Sequence, residues 1–254
     1  MKRTDWEESY HIRTFEVDFR NRLHLTVLFH LLQETATKQI ERQGVGVEVL
    51  KSRDEAWVLS RLLLEIDRYP GAGEEIRVRT WPRGIERLFA HRDFQVAASA
   101  GDMIGKATSY WLLVDLKTRR PKRPADVFKH MPTAPDRMAV AVKPDKLPSL
   151  EKAEPVGTVQ AGYSHLDLNR HVNNAVYVEW ILDAFPAEVH ERFQVTRLQI
   201  NFQAETRIGD RLVLFKEALS ETGPPAFGVE GLKDGGKILA FQARLEWGER
   251  PAGS

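Results

Sequence analysis

The feature that most constrains this chain is an internal repeat. Ser60-Arg61-Leu62 resembles Thr196-Arg197-Leu198, and Gly73-Glu74 resembles Gly209-Asp210. Both matches lie 136 positions apart (197 − 61 and 209 − 73). Asp18 and Asp167 each precede a helical stretch at a spacing of 149 (167 − 18), so the alignment needs one gap. Self-similarity at a fixed spacing marks a duplicated structural unit.

The order of expected elements repeats too. Ser9–Val17 alternates like a strand, and a helix is predicted over 22–42, where Leu25, Leu28, Leu32, Ala36 and Ile40 recur at three- and four-residue steps. Val27, Phe29 and Leu31 add apolar groups on the other sides, which predicts a buried helix. Four strands are expected next, over 56–68, 74–81, 87–98 and 103–116, with Pro70-Gly71, Gly84 and Gly101-Asp102 in the turns. The second copy runs through a strand at 157–164 and a helix carrying Val172, Ala175, Val178, Leu182 and Phe185. Strands at 194–204, 211–219, 226–231 and 237–247 follow, with a turn at Gly223-Pro224-Pro225. The fold class is therefore α+β. A five-stranded antiparallel sheet cannot leave its apolar face open, so each is expected to curl around its helix.

Seven of the 13 prolines fall in residues 121–155. Proline lacks a backbone donor and avoids central strand and helix positions. The expected organisation is an N-terminal unit at 1–120, a Pro-rich linker at 121–155 with a short helix near Ala125–His130, and a C-terminal unit at 156–254.

Composition narrows the function. Lys+Arg 37 against Asp+Glu 36 excludes a strongly basic nucleic-acid coat. A hydrophobic share of 42% excludes a disordered chain. Cys is 0, which removes disulfides, thiolate nucleophiles and Cys-held metals. No apolar run approaches the roughly 18 residues of a membrane span. The opening MKRTDWEESY has no apolar core and turns acidic at once, so no secretion signal is expected in it and a cytoplasmic protein is.

The densest polar constellation is His165-Leu-Asp167-Leu-Asn169-Arg170-His171-Val-Asn173-Asn174. Alternation puts Asp167, Asn169 and His171 on one side if the chain stays extended there. That gathers a carboxylate, an amide and an imidazole. Asn173 and Asn174 serve equally well as turn or cap residues. The first copy, Asp18-Phe-Arg20-Asn21-Arg22, keeps the Asp and lacks the Asn-x-His step. Glu205 is the second candidate. The 136 spacing sets Tyr69 opposite it, so the acid too belongs to one copy only. An exposed turn glutamate remains the alternative.

These residues resemble those of the acyl-acyl-carrier-protein thioesterases of plant plastids and bacteria. His165–Pro186 (HLDLNRHVNNAVYVEWILDAFP) carries the likeness most specifically, and Ala107–Arg120 and Glu75–Asp93 extend it over roughly residues 8–247. The resemblance implies a tandem (double) hot-dog fold, with the acyl-chain pocket in the N-terminal unit and catalysis in the C-terminal one. It implies hydrolysis of a fatty acyl thioester of acyl carrier protein, in fatty acid biosynthesis, by Asp167, Asn169, His171 and Glu205. No cofactor, metal, nucleic acid or membrane partner is implied, and a monomer or homodimer is expected. Plant members usually carry a cysteine directly after the glutamate; here it is Thr206, so a cysteine acyl-enzyme is impossible. Water, with Glu205 and His171 as base, is the expected nucleophile, with Asp167 orienting His171; a mixed anhydride on Asp167 is the alternative.

Leu28, Leu32 and the strand around Trp57–Leu64 are candidate channel walls. Lys117, Arg119, Arg120, Lys122 and Arg123 form a basic patch that suits an acidic carrier as well as it suits a solvated loop. The competing readings are a hot-dog acyl-coenzyme-A thioesterase and a non-catalytic acyl-thioester sensor.

Overall fold

The computed structural model describes residues 4–129, 131–220 and 225–249. His130, the expected end of the linker helix, and Gly223 and Pro224, expected in a turn, lie outside them. The chain divides into two compact units, Met1–Pro144 and Asp145–Ser254.

The N-terminal unit contains β1 (Trp6–His11), α1 (Leu25–Arg42), α2 (Val47–Lys51), β2 (Glu55–Ile66), β3 (Glu75–Glu86), β4 (Phe89–Ala98), β5 (Met103–Asp115), β6 (Pro121–Lys122) and α3 (Ala125–Phe128). Its antiparallel strands are ordered β1-β3-β4-β5-β2, with β6 paired to β5. The C-terminal unit contains β7 (Glu154–Gln160), α4 (Asn174–Asp183), α5 (Ala187–Arg192), β8 (Phe193–Phe202), β9 (Arg211–Ala218), β10 (Ala226–Lys233) and β11 (Ile238–Glu249). Its order, β7-β9-β10-β11-β8, is the same topology repeated.

The two long helices differ in burial. In α1 one stripe is buried: Leu25, Leu28, Phe29, Leu32, Thr35, Ala36 and Gln39. His30 and Glu34 face water, and Val27 and Leu31 are only half-buried. The helix buried nearly all round is α4, through Ala175, Val176, Tyr177, Val178, Trp180 and Ile181. Tyr177 meets Phe202 of β8 and Phe241 of β11 edge-on, both with ring centres 5.5 Å apart. Such contacts stabilise beyond area burial alone. Asn173 caps α4 by accepting the Ala175 amide at 2.9 Å, a contact that typically contributes about 1 kcal/mol.

The Pro-rich stretch is divided between the units at Pro144, and each part packs within its own unit. Val127 and Met131 bury against Leu50 and Leu113. Trp81 Nε1 donates to the Arg137 carbonyl at 2.8 Å, and the Ala139 amide donates to Asp93 at 2.7 Å. In the C-terminal unit Gln242 donates to the Pro148 carbonyl at 3.1 Å, and the Leu150 amide donates to Glu230 at 3.1 Å. Proline lacks a donor but keeps its acceptor, so such a stretch still docks through carbonyls and intervening amides. The candidate channel residues Leu28, Leu32, Leu59, Leu62, Leu63 and Leu64 are all core. Among the described residues no helix is long and apolar enough to cross a membrane.

Candidate active site

Residues 167–171 form a closed turn and are not extended. The Asp167 amide donates to the His171 carbonyl at 2.8 Å, the Arg170 amide donates to the Asp167 carbonyl at 3.0 Å, and Leu166 bridges Val172. Arg170 adopts a left-handed φ of 61° to close it. One Asp167 oxygen accepts the amides of Asn169 (2.8 Å) and His171 (3.1 Å). Asp167 therefore meets His171 through its backbone. The expectation that its carboxylate orients the imidazole is replaced by an Asx turn, the usual use of a short acid at a chain reversal. Closing the turn, not strand alternation, aims the His171 ring.

A second loop, residues 203–210 after β8, supplies the acid. The Val172 amide donates to the Thr206 carbonyl at 2.9 Å and ties the two loops together beside His171. His171 Nε2 then lies 3.3 Å from Glu205 Oε2, with the side chains 30% and 45% exposed. Arg207 approaches the same oxygen at 3.6 Å. The loop is held from behind. The Arg207 amide donates to Asp210 at 3.0 Å, the Gly209 amide donates to the Ala161 carbonyl at 2.8 Å, and Lys233 of β10 donates to the Glu205 carbonyl at 2.6 Å.

The N-terminal unit contains the same framework without the same chemistry. The Leu23 amide donates to the Pro70 carbonyl at 2.8 Å, as Val172 does to Thr206. The Gly73 amide donates to the Ile12 carbonyl at 2.8 Å, as Gly209 does to Ala161, and both glycines have φ 87°. Asp18 accepts the amides of Arg20 (2.8 Å) and Arg22 (3.0 Å), as Asp167 accepts those of Asn169 and His171. On this shared frame Arg22 replaces His171 and Tyr69 replaces Glu205. Arg22 closes onto Asp18 at 2.7 Å. Burial pushes the Tyr69 phenol up, with Arg22 acting the other way. A neutral phenol and an ion-paired guanidinium offer no base.

Of the four expected site residues, His171 and Glu205 are brought together. Asp167 holds the turn, and Asn169 is exposed on it with its amide nitrogen bound to Asp167. Thr206 is fully buried beside the Tyr177 phenol. Burial pushes the neighbouring Tyr177 phenol up to about 12, with Thr206 contacts working against it. In the basic patch, Lys117 pairs with Asp54 at 2.6 Å and Lys122 pairs with Glu55. Lys233, Arg207 and Asp210 were not anticipated. Arg207 and Asp210 stand beside Glu205 in sequence, but nothing local marks Lys233, which arrives from another strand. Among the described residues no group of three or more His, Asp or Glu side chains could hold a metal ion.

Two family models match the chain: the acyl-ACP thioesterase N-terminal domain over residues 3–131 and the acyl-ACP thioesterase C-terminal domain over residues 151–248. A chloroplastic acyl-[acyl-carrier-protein] hydrolase of Cuphea viscosissima is 28% identical over 98% of the chain, and the chain spans 64% of that protein's length. A chloroplastic palmitoyl-acyl carrier protein thioesterase of Cuphea hookeriana is 28% identical over 95% of the chain, which spans 62% of it. The crystal structure of an acyl-ACP thioesterase from Bacteroides thetaiotaomicron superposes with a TM-score of 0.87 at 32% identity, covering 96% of this chain and 98% of that one. A 12:0-ACP thioesterase from Umbellularia californica superposes at 0.85 with 23% identity, covering 97% of this chain and 95% of that one, a likeness of fold. The architecture is the double hot-dog.

Proposed function

The chain belongs to the acyl-ACP thioesterase family, and on that premise we propose that it hydrolyses the fatty acyl thioester of acyl carrier protein to a free fatty acid and the carrier's thiol. The observation that carries this reading is the contact of His171 Nε2 with Glu205 Oε2 at 3.3 Å, on a frame whose N-terminal copy has neither group.

A thioester is already an activated acyl donor, so water with a positioned base suffices. Glu205, paired with His171, takes a proton from water as its oxygen adds to the acyl carbon. The carbon–sulfur bond then breaks and the sulfur leaves as thiolate, which takes up a proton. General-base help of this kind contributes on the order of 10²–10⁴ in rate. Asn169, exposed on the same turn as His171, is suited to the developing oxyanion through its side-chain amide. Asp167 keeps the turn shut, since Asp18 makes the same amide bonds in the copy without His171.

The test is release of free thiol from acyl-carrier and acyl-coenzyme-A thioesters of several chain lengths. Turnover of the carrier thioester that disappears in Glu205→Gln supports the reading. Preference for the coenzyme-A thioester would reassign the carrier. Tight binding without turnover of either would make the protein a sensor.

A further inference from the structure

We propose that Lys233 is a positioning residue for Glu205, its ammonium clamping the backbone on which the acid is mounted. The inference rests on the reading of Glu205 as the base. Lys233 Nζ donates to the Glu205 carbonyl at 2.6 Å and to Asp210 Oδ2 at 3.1 Å. Asp210 in turn accepts the Arg207 amide at 3.0 Å. One ammonium and one carboxylate thus fasten both ends of the segment 205–210. Burial works against the Asp210 carboxylate, but the Arg207 amide and the Lys233 ammonium hold its pKa below the usual range, so this carboxylate is ionised at neutral pH.

Glu205 needs such a mounting. Its side chain is 45% exposed, and its partners His171 and Arg207 stand at 3.3 and 3.6 Å. Exposed ion pairs are weak and do not fix a rotamer. Beyond β8 the segment has left its sheet ladder. The placement of its main chain therefore bears directly on the acid. The Val172 amide holds the Thr206 carbonyl, and Lys233 holds the Glu205 carbonyl just before it.

The N-terminal unit provides the control. Lys233 pairs in register with Leu212, and Ala98 pairs with Ile76 at the equivalent place, so alanine stands where the lysine would be. The turn acid is nevertheless present there as Glu74, which accepts the Gly71 amide at 2.7 Å. Its cation is Arg68, 2.9 Å away and adjacent to Tyr69 in sequence. Neutralising the turn acid therefore does not require a lysine from the neighbouring strand. Only in the unit with Glu205 does the cation come from there and span both the acid and the peptide of residue 205.

The experiment compares Lys233→Met, Lys233→Arg and Asp210→Asn in steady-state hydrolysis of acyl-carrier thioester, with amide exchange followed over residues 203–210. In Lys233→Met, kcat is expected to fall about tenfold or more, because sub-ångström placement of a base controls the rate. KM should stay within about twofold, and exchange at 205–207 should quicken. Lys233→Arg restores most of kcat, and Asp210→Asn, which keeps the ammonium–carbonyl bond, loses less than Lys233→Met. Unchanged kcat or unchanged exchange in folded Lys233→Met overturns the proposal. So does an Asp210→Asn loss equal to that of Lys233→Met, since the turn would then be the target. If Lys233→Met does not fold, Lys233→Gln, which is uncharged and shorter, takes its place in each comparison with the same expected and overturning results. A wild-type protein inactive on every thioester would reject the proposed function, while the exchange data would still judge the clamp.

Discussion

His171 Nε2 and Glu205 Oε2 lie 3.3 Å apart because the Val172 amide and the Thr206 carbonyl, one residue beyond each, are joined at 2.9 Å. Two loops that are separate in sequence are zipped at their backbones, and the side chains just before the zip point meet. Replacing Glu205 by Gln or His171 by Ala leaves this backbone bond intact. Each variant is expected to fold like wild type and to lose on the order of 10²-fold or more in kcat. Thiol release and circular dichroism check this together; near-full activity in either folded variant rejects the assignment.

Thr206 directly follows Glu205, and its burial decides its role. Its side chain is fully buried beside the Tyr177 phenol, which burial keeps protonated and which is therefore no base. A hydroxyl without a base is a poor nucleophile. Thr206→Val keeps the shape and removes only the hydroxyl, so kcat is expected to remain within about threefold. Loss of most activity in that variant, with Glu205 still in place, would restore a threonine nucleophile.

Asp167 and Asp18 make the same two amide bonds in the two units. Only Asp18 also holds an arginine, Arg22, at 2.7 Å. If the carboxylate serves the turn in both, Asp18→Ala and Asp167→Ala should each cost about 1.5–3 kcal/mol of stability, the range for hydrogen bonds to a charged group. Urea unfolding measures this. Only Asp167→Ala should also lower thioester hydrolysis, because the turn it releases carries His171. An active, undestabilised Asp167→Ala would show that the turn closes without it.

The duplication and the strand order were legible because the turn residues repeat: glycine at 73 and 209 and aspartate at 18 and 167 mark the same reversals. Pairing of His171 with Glu205 was legible for a related reason, since both groups depart from the repeat at matched positions. Other features were not. Apolar content around a helix does not say which helix is enclosed. In α1 the exposed His30 and Glu34 interrupt the apolar surface, whereas the shorter α4 carries aromatic residues that meet β8 and β11. Alternation at 167–171 failed because Arg170 adopts a left-handed conformation that arginine gives no sign of favouring. The basic patch read equally as a carrier-docking surface and a solvated loop, and nothing in the sequence signalled that Asp54 and Glu55, distant along the chain, pair with both of its lysines. Lys233 escaped notice for the same reason: its partners lie on another loop.

His91 provides a pH test of the N-terminal unit. It is buried, stacked on Tyr110 with ring centres 4.0 Å apart, and its Nε2 has no hydrogen-bond partner. Burial, helped by the charge of Arg83, lowers its pKa from 6.5 to about 4. The folded state therefore keeps His91 neutral where the unfolded chain would protonate it. Stability from this group is complete above about pH 6.5, falls as the pH drops from there to about 4, and levels off below, a loss of up to roughly 3 kcal/mol. Burial raises the pKa of nearby Asp93, which pushes the opposite way as acid is added. The measurement is therefore a difference: urea midpoints from pH 7 to 4 for wild type and for His91→Phe, which keeps the stack on Tyr110. Wild type should lose stability faster than the variant between pH 6.5 and 4, with amide exchange in β4 and β5 quickening over the same range. Parallel curves would mean that His91 titrates alike in the folded and unfolded chains.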